Sequence, residues 1–281
     1  MYLARVTFGF PSPSDDLAEV DDLVTAYLAN LRKNGQICGD SLHALCPDGF
    51  VAYTKLARPD AISHCYHSRY GLKDLARLVN IFGTEPTWHI LEDNVPTSFP
   101  DIHASSSLFL FTTAFDDGSP ICCGDTGEPL PAYLIPIDDN ERDDLFFWSR
   151  EYNRLDHIWL GSGDLEIPAY QQLASPASGL AQDGRRLAEK VEAALGIPTY
   201  YFLMRYYGRE EGETQRTCPG CNGQWLIEEN LHSKPFWKFP FRCEKCRLVS
   251  RLADTVDEDD FAYIGEFESQ AEADDSISDK R

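Results

Sequence analysis

The sequence predicts an α+β protein with a ferredoxin-like β-α-β-β-α-β N-terminal unit, an α/β middle unit and a C-terminal module organised by cysteines. Three observations predict this class. Strand-like alternation and helical periodicity follow one another between residues 1 and 93. A second alternation of short apolar runs and helical patterns occupies 108–207. Two Cys-x-x-Cys pairs follow at 218–221 and 243–246, with twenty-one residues between them.

The N-terminal unit is predicted from its periodicity and its turn residues. Ser14 is a good N-cap because its hydroxyl can accept a backbone N–H, and Gly35 and Gly83 are stop signals for helices. Pro47-Asp48-Gly49 predicts the turn of a hairpin. The predicted elements are strand Tyr2–Phe10, a helix from Ser14 to Gly35, strands Gln36–Leu45 and Phe50–Ala57, helix Leu72–Phe82 and strand Thr87–Leu91.

The middle unit follows a linker rich in Pro and Ser at Asn94–Ser107. Its predicted elements are strands Leu108–Thr113, Pro120–Cys123 and Pro131–Ile137, helix Asp143–Leu155, a buried strand Ile158–Leu160, helices Asp164–Leu173 and Leu180–Leu195, and strand Thr199–Tyr207. Residues 254–281 are acidic and poor in apolar side chains, which predicts a largely disordered tail with one apolar segment. The predicted domains are therefore 1–93, 108–207, 208–253 and the tail 254–281.

The cysteine pairs predict a zinc ribbon. Cys218, Cys221, Cys243 and Cys246 can supply the four thiolates of a structural tetrahedral zinc site. Pro219 and Gly220 suit the tight turn of the first pair, since Gly tolerates positive φ. Two disulfides are disfavoured because the chain opens on a strand pattern rather than a secretion signal, and a redox dithiol needs only one pair. Two short strands are predicted between the pairs, Gln224–Glu229 and Phe236–Arg242.

Several motifs together give the chain a family resemblance. They are Cys122-Cys123-Gly124-Asp125, Trp159-Leu160-Gly161-Ser162-Gly163, Pro198-Thr199-Tyr200-Tyr201-Phe202-Leu203, and the two cysteine motifs starting at Arg216 and Cys243. With them the chain resembles a bacterial family of uncharacterised Zn-ribbon-containing proteins, for which nucleic-acid binding is suggested. The similarity is best from Leu108 to Arg251. Asn222 stands where many ribbons have Gly, and Asn tolerates the left-handed region.

The charge pattern favours a protein partner over nucleic acid. The net charge is −21, whereas residues 205–251 carry nine Lys and Arg against six Asp and Glu, a net +3. Such an acidic body repels phosphate backbones and attracts basic proteins. We therefore expect capture and neutralisation of a basic partner, as by an immunity protein that inhibits a nuclease-type toxin. The candidate contacts are the acidic pairs Asp138, Asp139, Asp143 and Asp144.

The alternative is a regulator that binds DNA or RNA through the basic ribbon. Its candidate residues are Trp225, Lys238, Arg242 and Arg247, because aromatic stacking combined with cations grips single strands. The competing interpretation has two parts: alternating aromatics such as Trp237 and Phe239 pack the ribbon onto the body, and the cations compensate the thiolates. Both interpretations stay open at this point.

Other motifs are weaker. His64, Cys65 and His67 could ligate a second metal with Cys38, His43 or Cys46, but no further Cys-x-x-Cys pair fixes the geometry of such a site. Cys122-Cys123 is interpreted as two buried or half-buried small residues rather than a redox pair. No phosphate loop, nucleophile elbow or His-Glu-x-x-His motif is present, so we expect no enzymatic activity. No apolar run approaches the ~20 residues of a membrane span, so we expect a cytoplasmic protein without membrane partners.

Overall fold

The structure is a computed structural model that describes residues 1–92, 101–256 and 259–268. Within these residues the chain is a mixed α+β protein with two sheets and several helices, which confirms the predicted class. One compact unit comprises Met1–Ala104, Phe115–Ile121 and Pro129–Phe147, and the other comprises Ser105–Ala114, Cys122–Glu128 and Trp148–Arg281. None of the helices in the described ranges is long and apolar enough to cross a membrane.

The first unit contains an antiparallel four-stranded sheet. Its elements are β1 (Tyr2–Gly9), α1 (Leu17–Lys33), β2 (Ile37–Cys46), β3 (Gly49–Leu56), α2 (Arg69–Phe82) and β4 (Thr87–Ile90), and the strand order is β2-β3-β1-β4. Large apolar side chains from the helices and the sheet, among them Phe8, Tyr27 and Leu78, form one buried core. The N-cap of α1 is Asp16, whose carboxylate accepts a hydrogen bond from Ala18 N at 2.9 Å, and not Ser14 as predicted, because the helix begins later, at Leu17.

The second sheet has five short strands in the order β6-β5-β7-β9-β8. They are β5 (Leu108–Leu110), β6 (Ile121–Cys123), β7 (Thr199–Phe202), β8 (Phe241–Cys243) and β9 (Leu248–Ser250). β5, β7 and β9 are parallel, whereas β8 is antiparallel to β9. The sheet therefore continues from the middle segment into the cysteine-bearing segment, with Tyr201 N donating to Arg247 O at 2.8 Å. The boundary predicted at residue 207 therefore separates two segments of the sequence that share one sheet.

Three helices accompany these strands: α3 (Asp139–Leu160), α4 (Glu166–Ala174) and α5 (Gly179–Leu195). The predicted strand Ile158–Leu160 is wrong, because the backbone continues as the last turn of α3 and both end residues are exposed. A short apolar run does not by itself distinguish strand from helix.

Two further strand predictions are corrected. Pro131–Ile137 contains a 3₁₀ turn at Ala132–Leu134, and the Arg142 guanidinium donates to the carbonyls of Ala132, Ile135 and Ile137, so these groups do not join a sheet ladder. The predicted ribbon strand Gln224–Glu229 is reduced to an isolated bridge between Leu226 and Phe241. In Phe236–Arg242 only the end is a strand, because Pro240 has no N–H to donate to a ladder.

The predicted linker and tail are only partly described. Residues 94–100 of Asn94–Ser107 and residues 257–258 and 269–281 of the tail lie outside the described residues. Residues 259–268, which contain the apolar segment predicted in the tail, pack within the second unit, with Ala262 and Ile264 buried. Their apolar side chains and the carboxylate of Glu266 find partners there.

Candidate metal centre

The first cysteine pair lies on a tight turn. Cys218 N donates to Gly223 O at 2.8 Å, and Cys218 O accepts from Asn222 N at the same distance. Asn222 has φ of 59°, in the left-handed region that Asn tolerates. Gly220 does not have the positive φ expected of it; it is required because a Cβ there would lie 2.9 Å from the Cys246 sulfur.

The second cysteine pair lies on the connection between β8 and β9. Cys243 ends β8 and pairs with Leu248 at the start of β9, so the antiparallel ladder closes the turn. Arg247 completes it with φ of 51°. Cys246 N approaches the Cys243 sulfur at 3.4 Å, as backbone N–H groups do toward thiolates. Both sulfurs of this pair are thereby turned toward the first pair.

The four sulfur atoms of Cys218, Cys221, Cys243 and Cys246 all lie within 4.8 Å of one another. With Zn–S bonds of about 2.3 Å, a tetrahedral site has sulfur–sulfur edges of about 3.8 Å. The separation of the Cys221 and Cys243 sulfurs is 3.7 Å, which fits such an edge. All four cysteines are free thiols. They can therefore hold one metal ion.

The surroundings shift the pKa values of three of these thiols. Burial raises the pKa of the Cys218 thiol and raises the pKa of Cys246 to about 11. The backbone N–H of Gly223 lowers the pKa of Cys221. A thiol with a raised pKa stays neutral near pH 7 unless a cation compensates the thiolate, and a coordinating metal ion deprotonates it outright.

A cation–aromatic core supports the first pair. The Arg216 guanidinium lies 3.9 Å from the ring centre of Phe241 and 4.7 Å from that of Trp225. Trp225 Nε1 donates to Arg216 O at 2.9 Å, and Trp225 O accepts from Arg242 N at 2.8 Å. Burial lowers the pKa of Arg216 to about 9. Arg216 thus contacts both rings, and the hydrogen bond from Trp225 holds its carbonyl two residues before Cys218.

The residues of the nucleic-acid alternative do not form one available basic face. Trp225 is 2% exposed, so its ring cannot stack on a base without unfolding. Arg242 pairs with Glu244 at 2.9 Å, and Arg247 pairs with Glu192 and Glu244 at 2.8 Å each. Lys238 is exposed. The aromatic residues preceding β8 pack against the second sheet, with Phe236 4.4 Å from Phe111 between ring centres.

The four predicted acidic contacts surround the start of α3 in the first unit. Asp138 Oδ1 accepts from Glu141 N at 2.8 Å, which caps the helix. Asp139 pairs with Arg142 at 3.1 Å and accepts from Arg69 N, while Asp143 lies 3.9 Å from Lys33. Asp138 and Asp144 are exposed. Part of this acidic cluster therefore stabilises the fold.

The remaining cysteine and histidine candidates do not assemble a second metal site. Within the described ranges, the four-cysteine group is the one cluster with metal-binding spacing. His67 is buried, with Nε2 3.1 Å from the Tyr27 hydroxyl, and His64 pairs with Glu85 at 3.2 Å. Cys122 and Cys123 are both buried in the second sheet. Cys122 packs in an aromatic cluster, whereas Cys123 accepts a hydrogen bond from Ser105 at 3.3 Å.

One set of charged residues was missed by the sequence analysis. Arg205 is 3% exposed and donates to Glu213 through Nε and Nη2, and it also pairs with Glu266 at 3.1 Å. Arg216 Nε lies 3.2 Å from the same Glu213 carboxylate. No spacing of residues in the sequence predicts this network of arginines and glutamates. The one available signal was the apolar group Phe261, Tyr263 and Ile264 in an otherwise acidic tail, which indicated that the segment packs.

The fold and site define a two-unit α+β protein with a four-cysteine candidate metal centre. Residues 1–92, 102–204 and 208–255 match three families, described as Domain of unknown function (DUF8589), Domain of unknown function (DUF2310) and Domain of unknown function (DUF8594). None of these descriptions names zinc or nucleic acid, which were parts of the resemblance drawn from the sequence.

Two relatives come from Haemophilus influenzae (strain Rd), each described as "Uncharacterized protein". One is 26% identical over 264 residues, which are 90% of this chain and 98% of that protein. Another is 34% identical over 146 residues, which are 51% of this chain and 70% of that protein. The chain belongs to the same protein family as this second relative. No solved structure gives a significant match.

Proposed function

We propose that this chain is a non-catalytic acidic zinc protein that binds and neutralises a basic protein partner, such as a nuclease-type toxin. The proposal rests on two features of the charges, namely the large negative net charge of the chain and the pairing of its arginines with carboxylates. The chain has a net charge of −21, and the cations of its most basic segment, including Arg216, Arg242 and Arg247, face carboxylates of the same unit. The net electrostatic potential of the surface is therefore negative, and it attracts positively charged partners.

Zinc is the metal proposed for the four cysteines. Thiolate sulfur is a soft ligand, and four thiolates in tetrahedral spacing are typical of structural zinc sites. Four protein ligands leave no open coordination position for substrate, which supports a structural role. The segment has three-residue strands at Phe241–Cys243 and Leu248–Ser250, so metal binding contributes directly to its folding free energy. In this respect it is a zinc ribbon with two very short strands.

The finer fold assignment is a ferredoxin-like N-terminal unit. The element order β1-α1-β2-β3-α2-β4 and the antiparallel strand order β2-β3-β1-β4 support it.

Nucleic-acid binding through the cysteine-bearing segment is the competing proposal, and it rests on the basic residues there. Lys238 is exposed, but Trp225 is buried and the two arginines are paired with carboxylates. A phosphate backbone would have to displace those carboxylates first. The geometry therefore favours the protein partner.

The test is to identify what the tagged chain retains from cells of its source and to measure its association rate at low and physiological salt. Asp144→Lys combined with Asp22→Lys reverses two exposed acids of the first unit, and should slow association about tenfold at low salt. Lys238→Ala, the matched control on the basic segment, should change the rate little. If the retained material is nuclease-sensitive and its binding depends on Lys238, Arg242 and Arg247, protein capture is wrong.

A further inference from the structure

The carboxyl ends of β5, β7 and β9 lie at one edge of the second sheet, since these strands are parallel. In open α/β sheets, ligands bind in the crevice outside these ends. In this chain the residues that follow β7 include Arg205 and Arg209. Arg216 reaches the end of β9, where its Nη2 donates to Ser250 Oγ at 3.0 Å and to Arg251 O at 2.6 Å. Three guanidinium groups therefore gather at the position where such a fold receives a ligand.

Two buried guanidinium groups at this edge share one carboxylate. Arg205 and Arg216 both pair with Glu213, whereas Glu210 and Glu211 of the same segment are exposed. Arg205 and Arg216 are 3% and 8% exposed. Buried cations are costly unless anions face them, so the site selects for a negative group.

Glu266 of the C-terminal segment supplies that negative group. Its carboxylate receives Arg209 Nε at 2.8 Å on Oε1 and Arg209 Nη2 on Oε2, a two-point contact that matches a planar carboxylate. Arg205 Nη2 reaches the same carboxylate at 3.1 Å. Burial alone would raise the pKa of Glu266, but the hydrogen bonds and charges of Arg209 and Arg205 lower it. The carboxylate is therefore held in its charged form.

The crevice also has space and an unused donor. A cavity of about 300 Å³ adjoins the carboxylate, and its lining includes Arg209, Gln215, Arg216, Thr217, Asn222 and Glu266. Arg216 Nε is buried without a hydrogen-bond partner, because its 3.2 Å approach to Glu213 is not aligned for donation. Arginine, amide and hydroxyl groups thus surround a volume that suits a small carboxylate ligand.

The segment that fills the site is held by hydrogen bonds to Arg205 and by apolar contacts, among them Phe261 with Tyr207 at 5.2 Å between ring centres. Arg205 Nη1 donates to Ala262 O at 2.6 Å and to Ile264 O at 3.3 Å. Ala262 and Ile264 are buried, whereas Tyr263 is 54% exposed. Gly265 has φ of 82°, and a Cβ there would lie 2.5 Å from Ala174 O, so the chain can pass this point only as glycine. The Arg209 side chain is half exposed, so a ligand can reach its guanidinium and compete there with the Glu266 carboxylate.

We propose that this crevice is a carboxylate-binding site, that Glu266 is its internal occupant, and that a free carboxylate ligand competes with residues 259–268 for Arg205 and Arg209. The site lies beside the cysteine turn, because Arg216, Thr217 and Asn222 also line the cavity. The inference is independent of the nature of any protein partner.

The first experiment is chemical rescue with sodium propionate as the probe. Glu266→Ala removes the internal carboxylate and leaves its space, so propionate should raise the Tm by about 3 °C relative to chloride at equal ionic strength. Glu266→Gln, which fills the same space without charge, should not respond. The double variant Glu266→Ala, Arg209→Gln should also lose the response. Zinc content, measured in each variant, checks that the cysteine turn is intact.

Equal responses in Glu266→Ala and Glu266→Gln would overturn the proposal, since the probe would then act elsewhere. A larger stabilisation by inorganic phosphate than by propionate would overturn the carboxylate assignment. Competition is tested on the wild-type chain by hydrogen exchange. Propionate, but not chloride, should accelerate exchange of the amides of Ala262 and Ile264 severalfold. Unchanged exchange at a saturating probe concentration would overturn the competition.

Discussion

The N-terminal sheet and the cysteine-bearing segment show two ways of stabilising small pieces of chain. The first sheet buries Phe8, Tyr27, Leu78 and other large apolar side chains between two helices and strands of up to ten residues. The cysteine-bearing segment has three-residue strands, and it brings together four thiols and a buried arginine stacked on aromatic rings. Apolar burial stabilises the first region, whereas the second has little apolar core and is expected to depend on the proposed zinc and on compensated charges.

The largest expected effect separates the two regions through the metal. Cys218→Ser or Cys243→Ser should abolish zinc binding and unfold 208–253, because structural zinc contributes on the order of 10 kcal/mol to such segments. Amides of β1 and β3 should keep their protection from hydrogen exchange. Zinc analysis and exchange mass spectrometry measure both. Cys46→Ser, at an exposed position of the first sheet, is the matched control and should change neither. Full zinc content in the Cys218 variant would contradict the assignment.

An intermediate effect should appear in the apolar region alone. Leu78 is fully buried on α2, and Leu78→Ala should lower the free energy of unfolding by about 2–5 kcal/mol through lost burial and a residual cavity. Denaturant unfolding measures this, and zinc content should be unchanged. Leu72→Ala on the same helix, where the side chain is 45% exposed, should cost far less. If both variants lower the free energy of unfolding equally, Leu78 contributes no more to the core than an exposed leucine does.

The smallest effect concerns the acid stability of the C-terminal segment. Because Arg205 and Arg209 lower the pKa of Glu266, its charged form stabilises attachment above the ordinary Glu pKa. This stabilisation is complete above the ordinary Glu pKa and is lost progressively as the pH falls from there through the lower, folded-state value. Hydrogen exchange at Ala262 and Ile264 follows this, and the expected contribution is about 1–2 kcal/mol. In Glu266→Gln the exchange should already be faster at neutral pH. Segment release near pH 6 would point to another group.

Sequence reasoning worked best where the pattern has a short period. The strand and helix patterns of residues 1–92 overlap the observed elements, because side-chain alternation and helical spacing directly reflect a sheet packed on one face by helices. The spacing of the four cysteines anticipated their convergence for the same reason, since each pair is a local turn. Errors fell on short segments: Ile158–Leu160 is helical, and Pro131–Ile137 is held by Arg142 instead of a neighbouring strand.

The sequence by itself determined the α+β class, the approximate positions of the long helices except the last turn of α3, and the four cysteines proposed as metal ligands. All of these depend on local spacing and composition. The tertiary structure alone decided that β8 and β9 complete the sheet begun by β5, that Trp225 is buried under Arg216, and that Glu266 meets Arg205 across sixty-one residues. The physical reason is that these contacts join groups distant in the chain. Local propensity does not specify such partners. They are selected because a buried charge needs an opposite charge to offset its desolvation, and because a free strand edge needs another strand to pair with.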